Sequence, residues 1–343
     1  MILVNDPGDW SHVYPPLLHA KWHGWTPTDL VFPFFLFIMG VSMNFSMAKR
    51  GQTTRGRVYL KIIVRTLVLF GLGLFLNGFP FFELDTLRIP GVLQRIALVY
   101  FFAALIVTHV GAKAQAWIAA GLMLAYWALM ALVSVPGHGA GNLTVEGNLA
   151  AYVDNALLHG HMWRETWDPE GLLSTIPAIA TGLLGYLTGF LLRSRLEKPR
   201  VANWMFVLGW GAILVGLVWS VWFPINKNIW TSSYVMFTAG AALEFLGVCY
   251  WLIDCEGWRK WAHPAVVFGM NALAVYVISG VVTELLYLIK TPGGTTIKDW
   301  IYQTLFASWA SPYNASLLFA IAYVAFWWLV MDLFYRRRIF IKI

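Results

Sequence analysis

Nine stretches of this chain run for about 18 or more residues with hardly a charge, at approximately 27–48, 60–79, 91–109, 114–134, 172–192, 202–223, 231–253, 264–289 and 315–334. A hydrocarbon core about 30 Å thick needs roughly 20 apolar residues per helix. In lipid no water is present to pair backbone amides, so each span must satisfy them internally as a helix. The pattern predicts an all-α polytopic transmembrane helix bundle with about nine full spans, read as one membrane domain over 1–343 because no linker, repeat or low-complexity segment divides it. Composition agrees: 59% of residues are hydrophobic and 12% charged, far from the roughly 25% charged of soluble domains. Pro33 lies inside the first apolar run and is expected to kink it. Arg65 and Arg95 fall near span ends, where long basic side chains can snorkel.

The formal charge of +7 does not point to nucleic acid, because the basic residues are scattered through short loops without a basic face or interleaved stacking aromatics. Membrane orientation explains them. With loops assigned alternately to opposite sides, only Lys21, Arg88, Arg95, Arg164, Lys227, Lys290 and Lys298 fall on one side, and the other 17 of the 24 Lys and Arg collect on the opposite one. That bias predicts an inner, cytoplasmic membrane protein with a cytoplasmic C-terminus. The segment before Trp25 and the loops 80–90, 135–171, 224–230 and 290–314 are then extracytoplasmic. Met-Ile-Leu-Val-Asn at the start reads as the last turn of a hydrophobic helix whose beginning is absent, which predicts about ten spans for a complete chain. Cys249 and Cys255 make neither a disulfide framework nor a metal motif, and no paired-ligand spacing predicts a metal.

Ionisable groups at membrane depth are costly and are functional candidates by default. They concentrate on the outer side. Leu18-His19-Ala20-Lys21-Trp22-His23-Gly24-Trp25-Thr26-Pro27-Thr28-Asp29 enters the first span, with Thr26 or Thr28 as a helix cap and Asp29 favouring the positive helix terminus. Capping alone accounts for Asp29 as well as a functional role does. His19 sits at the outer boundary, where an imidazole can accept and return a proton, although a single histidine is more often structural. His23 competes with it, and His12, His159 and His161 lie in outer segments. Arg88, Gln94 and Arg95 enter the third span as anchors or as anion binders. Trp167-Asp168-Pro169-Glu170-Gly171 opens another helix, and Asn226-Lys227-Asn228-Ile229-Trp230-Thr231-Ser232 is a compact outer loop of donors. Within spans, Asn271 and Glu284 need partners, and Asn271 is expected to bond a neighbouring helix.

With these stretches in view, the chain resembles the heparan-alpha-glucosaminide N-acetyltransferase family, including bacterial members of the DUF5009 and NagX type. The matching residues are His19 to Pro33, Arg88 to Arg95, Asp168 to Gly171 and Asn226 to Asn228, in order along most of the chain. The first two stretches are long enough to be specific. The chain departs from the family pattern in lacking its opening Leu-Asp-x-x-Arg-Gly helix. The resemblance implies acetyl transfer from cytosolic acetyl-CoA, as acyl-donor substrate, to the amine of a glucosamine-type acceptor across the bilayer. It places the family's active-site histidine on His19 and a family asparagine on Asn5. Asp29, Arg88, Gln94, Arg95, Asn226, Lys227 and Trp22 are then expected to bind substrate.

His19 can serve that chemistry as a general base or as a covalent acetyl-imidazole carrier, with Asn5 or Asn226 donating to the oxyanion. Arg57 or Arg65 is a candidate for holding the donor nucleotide. O-acylation of an envelope glycan and sugar transport without chemistry are the rival functions. A homo-oligomer is left open.

Overall fold

The computed structural model describes residues 1–48 and 55–341. Lys49, Arg50 and Lys342, which entered the charge asymmetry, lie outside the described residues. Among the described residues thirteen α-helices follow one another: α1 (Ile2–Asn5), α2 (Val31–Ala48), α3 (Arg55–Gly78), α4 (Val92–His109), α5 (Ala112–Leu132), α6 (Leu149–Leu158), α7 (Thr175–Leu192), α8 (Lys198–Trp219), α9 (Ser232–Tyr250), α10 (His263–Met270), α11 (Ala272–Leu288), α12 (Ile297–Tyr302) and α13 (Pro312–Arg336). Eight described helices are long and apolar enough to cross a membrane, and the bent pair α10–α11 is a ninth candidate. The molecule is a polytopic all-α bundle. Its only described strands, β1 (Ser134–Val135) and β2 (Gly139–Ala140), make a small hairpin ahead of α6.

Because lipid is as apolar as leucine, these helices cannot associate by burying oil from water, and close van der Waals packing must hold them. The main pairings are α2 with α7, α8 with α9, α3 with α4, and α5 with α7, which puts α7 at the centre. Gly40 of α2 lies against the Gly182 carbonyl, and Gly185 of α7 lies against the backbone of Phe37. A Cβ at either position would overlap a backbone oxygen, so glycine permits the approach. Phe32, Leu36, Ile96, Val99, Leu183 and Val235 fill the core around that contact.

Three expectations about the spans need correction, and a fourth, at Pro33, meets a favourable position. The run 264–289 is not one straight helix, since α10 and α11 meet at a 70° bend around Asn271. Asn271 does not bond a neighbouring helix: its Nδ2 donates to the Ile339 carbonyl at 3.0 Å and its Oδ1 accepts from the Ile341 amide at 2.9 Å, tying the break to the C-terminal segment. Pro33 stands in the first turn of α2, where a missing N–H costs least, and the span Pro27–Ala48 runs on through it without a break. Arg95 does not snorkel; it is 1% exposed within α4.

Candidate active site

The candidate site forms at one end of the bundle, where the segment before α2 and the α8–α9 loop meet. Asp29 stands in the 3-10 turn Pro27–Leu30 that leads into α2 and is 1% exposed. The preceding chain winds around its carboxylate: Oδ2 accepts the backbone N–H of Ala20 at 3.0 Å and of Thr26 at 2.9 Å. Oδ1 lies 2.6 Å from His19 Nδ1. A carboxylate only accepts, so Nδ1 carries a hydrogen, and in the neutral imidazole the lone pair falls on Nε2. Asp29 thus caps the turn, as the capping reading expects, and the same carboxylate holds His19 by its Nδ1. The His19 side chain remains 49% exposed.

Lys227 reaches over from the α8–α9 loop. Its Nζ is 3.1 Å from His19 Nδ1, 3.2 Å from Nε2 and 3.8 Å from Asp29 Oδ1. Burial lowers its pKa, while the carboxylates of Glu170 and Asp29 act in the opposite direction. The loop is built to hold it there. Asn226 is fully buried, and its Oδ1 accepts the amides of Asn228 at 2.8 Å and Ile229 at 3.2 Å. Trp230 closes the turn by donating its amide to the Lys227 carbonyl at 3.1 Å with a left-handed φ of 49°. The same loop meets the histidine segment again, since the Gly24 amide donates to the Ile225 carbonyl at 2.8 Å and Asn226 Nδ2 is 3.3 Å from His23 Nδ1. Partial burial pushes His23 down from the usual imidazole value.

A second cluster borders the first. Arg88 forks onto Asp168, with Nε to Oδ2 at 2.8 Å and Nη2 to Oδ1 at 2.7 Å, and Nη2 also reaches Glu170 at 2.6 Å. Asp168 in turn accepts the amides of Trp163 and Glu170, so these ions knit the Trp167–Gly171 turn. Arg95 donates to Ser174 Oγ and to the Gly171 carbonyl, and its guanidinium lies 5.1 Å from the Trp230 ring centre. Its Nε and Nη1 have no described partner. Asp154 of α6 accepts the Leu172 amide at 2.8 Å, and burial pushes its carboxyl up to about 7.

The structure therefore brings together His19, Asp29, Asn226 and Lys227, with Arg88 and Arg95 in the neighbouring cluster. Trp22 packs edge-on against Trp167 at 5.2 Å and donates its indole N–H to the Leu143 carbonyl. Gln94 of α4 fills the space over Gly73 of α3 and over Gly91, where a Cβ at either glycine would meet its amide. Asn5 stands apart: it borders a cavity of about 230 Å³ with Asp6, Tyr276, Thr283 and Glu284, and among the described residues no hydrogen bond joins it to His19. Burial pushes Asp6 up to about 6 although the Thr283 hydroxyl donates to it. His12 pairs with Asp9, His159 with Asn155 and His161 with the Leu87 carbonyl. Trp230, Ser174 and Asp154 escaped the sequence reading, and the only signal for Trp230 was its place in the donor-rich loop. Among the described residues no cluster of three or more His, Cys, Asp or Glu is placed to hold a metal.

At the opposite end, a cavity of about 550 Å³ opens between α2, α3, α4 and α7, lined by Arg55, Tyr59, Thr108, His109, Tyr186 and Arg193 among others. Neither Arg57 nor Arg65, the candidates for holding the donor nucleotide, lines this cavity, and Arg65 lies over the Tyr100 ring at 4.9 Å.

No family model matches the chain. Among curated proteins it is similar to the heparan-alpha-glucosaminide N-acetyltransferase of Homo sapiens, 29% identical over 404 aligned positions, and to that of Mus musculus, 28% identical over the same length. Both alignments take in 100% of this chain, which spans 58% of the length of either relative.

Proposed function

On the premise that this chain is a relative of the heparan-alpha-glucosaminide N-acetyltransferases, with which it aligns end to end, we propose that it is a transmembrane acetyltransferase. Its donor is acetyl-CoA and its acceptor the amine of a glucosamine-type sugar. The observation that carries this reading is the His19–Asp29 pair at 2.6 Å, which commits Nδ1 and leaves Nε2 to take a proton. As the acceptor nitrogen bonds to the acetyl carbon and the carbon–sulfur bond breaks, His19 Nε2 receives the proton that the amine sheds. Asp29 holds the tautomer and steadies the imidazolium that results. Asn226 acts by fixing the turn that carries Lys227, and Asn5 stands at another cavity, so neither is assigned the oxyanion role.

The cavity with Arg55 and Arg193 supports donor loading from the far end, because guanidinium groups suit the phosphates of a coenzyme A. The excess of Lys and Arg at that end supports placing it in the cytoplasm and His19 outside, in an inner membrane. Incubating purified protein with acetyl-CoA and glucosamine tests the reading. We expect N-acetylglucosamine from the wild type and none from His19→Ala at unchanged thermal stability; full turnover in that variant removes the histidine from the chemistry. Running a hydroxyl acceptor beside the amine distinguishes O-acylation of a glycan. The break at Asn271 is the one observation that favours transport, since broken helices line many transporter sites. Uptake of labelled glucosamine into vesicles without acetylation would establish that alternative instead.

A further inference from the structure

We propose that Lys227 is itself an acetyl acceptor, a self-modification site that competes with the free amine substrate. The inference rests on the acetyltransferase reading for its co-reactant, an acetyl thioester, and on geometry for its site. The Lys227 amine stands 3.2 Å from His19 Nε2 and 3.1 Å from Nδ1, against the imidazole itself. Rotation about its own side-chain bonds is enough to bring it onto the Nε2 lone pair, which takes the proton of an attacking amine. Because Asp29 occupies Nδ1, Nε2 is the nitrogen left to receive it. A nitrogen held there is where an acceptor amine must also come, so the tethered amine and the substrate amine contend for one seat.

Two features favour reaction at this lysine over the exposed Lys21 and Lys290 on the same side. The buried Asn226 amide ties down the Asn228 and Ile229 amides, and the left-handed Trp230 closes the turn, so fixed backbone keeps the amine beside His19 and only the side chain has to reorient. Only 14% of the Lys227 side chain is exposed, and that burial lowers its pKa, which raises the share of neutral, nucleophilic amine. Lys21 and Lys290 are exposed and lack a histidine partner, so they report non-enzymatic acetylation. The step balances: Lys227 Nζ bonds to the acetyl carbon, the carbon–sulfur bond breaks, the thiolate leaves, and the amine proton passes to His19 Nε2. The product is a neutral amide lodged over the imidazole, which closes the site while donor is present and acceptor is scarce.

The test is to incubate the full chain in nanodiscs with isotope-labelled acetyl-CoA and no acceptor, then read label on each lysine by peptide mass spectrometry. Lys227 is expected to label well above Lys21 and Lys290, and His19→Ala to cut its labelling by about 10²-fold, the lower end of a general base's contribution. Excess glucosamine added to wild-type protein is expected to suppress the Lys227 label, a measurement that holds even if the variant fails to fold. Protein that acetylates glucosamine while Lys227 labels no more than Lys21 overturns this inference and leaves the enzymatic reading standing. Lys227 labelled strongly with no free amine acetylated supports the inference and overturns that reading of the acceptor. Neither product overturns both.

Discussion

Asp29→Asn separates the catalytic duty of this carboxylate from its structural one. In the native site Oδ2 accepts two backbone amides, from Ala20 and Thr26, and Oδ1 accepts His19 Nδ1–H at 2.6 Å. An asparagine keeps one oxygen, and the two amide donors claim it. Its NH2 then faces His19 and donates to Nδ1, which forces the hydrogen onto Nε2 and removes the lone pair from the reacting side. The comparable tautomer swap in a serine protease lowers kcat by about 10⁴-fold, so we expect a loss of about 10³–10⁴-fold here, or roughly 4–5.5 kcal/mol of barrier. Stability should hardly change, because the fold keeps its two backbone bonds. Asp29→Ala leaves both amides unpaired and should cost stability as well, on the order of 1–3 kcal/mol for each buried donor. Acetyl transfer to glucosamine gives the rate and thermal unfolding in detergent the stability. An Asp29→Asn protein retaining more than about a tenth of wild-type kcat refutes the tautomer argument.

Arg88→Met should destabilise the protein by about 3–5 kcal/mol, since it strands Asp168 and Glu170, whose side chains are 0% and 7% exposed; chemical or thermal unfolding in detergent measures it. Asp154 makes stability depend on pH. Its folded carboxyl stays protonated up to about 7, whereas an unfolded one ionises near 4, so the folded state holds the extra proton between those values. Its contribution is therefore greatest below the unfolded value and declines as pH rises through the window. Asp154→Asn keeps an oxygen for the Leu172 amide and should flatten the decline, which melting curves at pH 5 and pH 8 will show. Gly185→Ala pushes a methyl into the Phe37 backbone and should cost about 1–3 kcal/mol by forcing α2 and α7 apart, read as a lower melting temperature.

The spans were legible in the sequence because hydrocarbon sets their length and forces every backbone group to pair within its own helix. Eight of the nine apolar runs are helices long and apolar enough to span, as expected. The break at Asn271 was not, since an apolar run looks the same whether straight or bent, and the partner that tolerates the break is a backbone some 70 residues away. His19 and Asp29 were legible as candidates because polar groups at a membrane boundary are conspicuous against so apolar a chain. Their pairing was not: ten residues separate them, and only the winding of the intervening turn brings Nδ1 to the carboxylate. Lys227, 208 positions from His19, and the distance of Asn5 from both are purely tertiary facts. Sequence alone determined which residues are too costly to leave in lipid without a reason. The folded chain decided which of them share a site, because contact between distant segments depends on how the helices pack, and in an all-apolar environment that is set by shape and glycine placement, which hydropathy does not record.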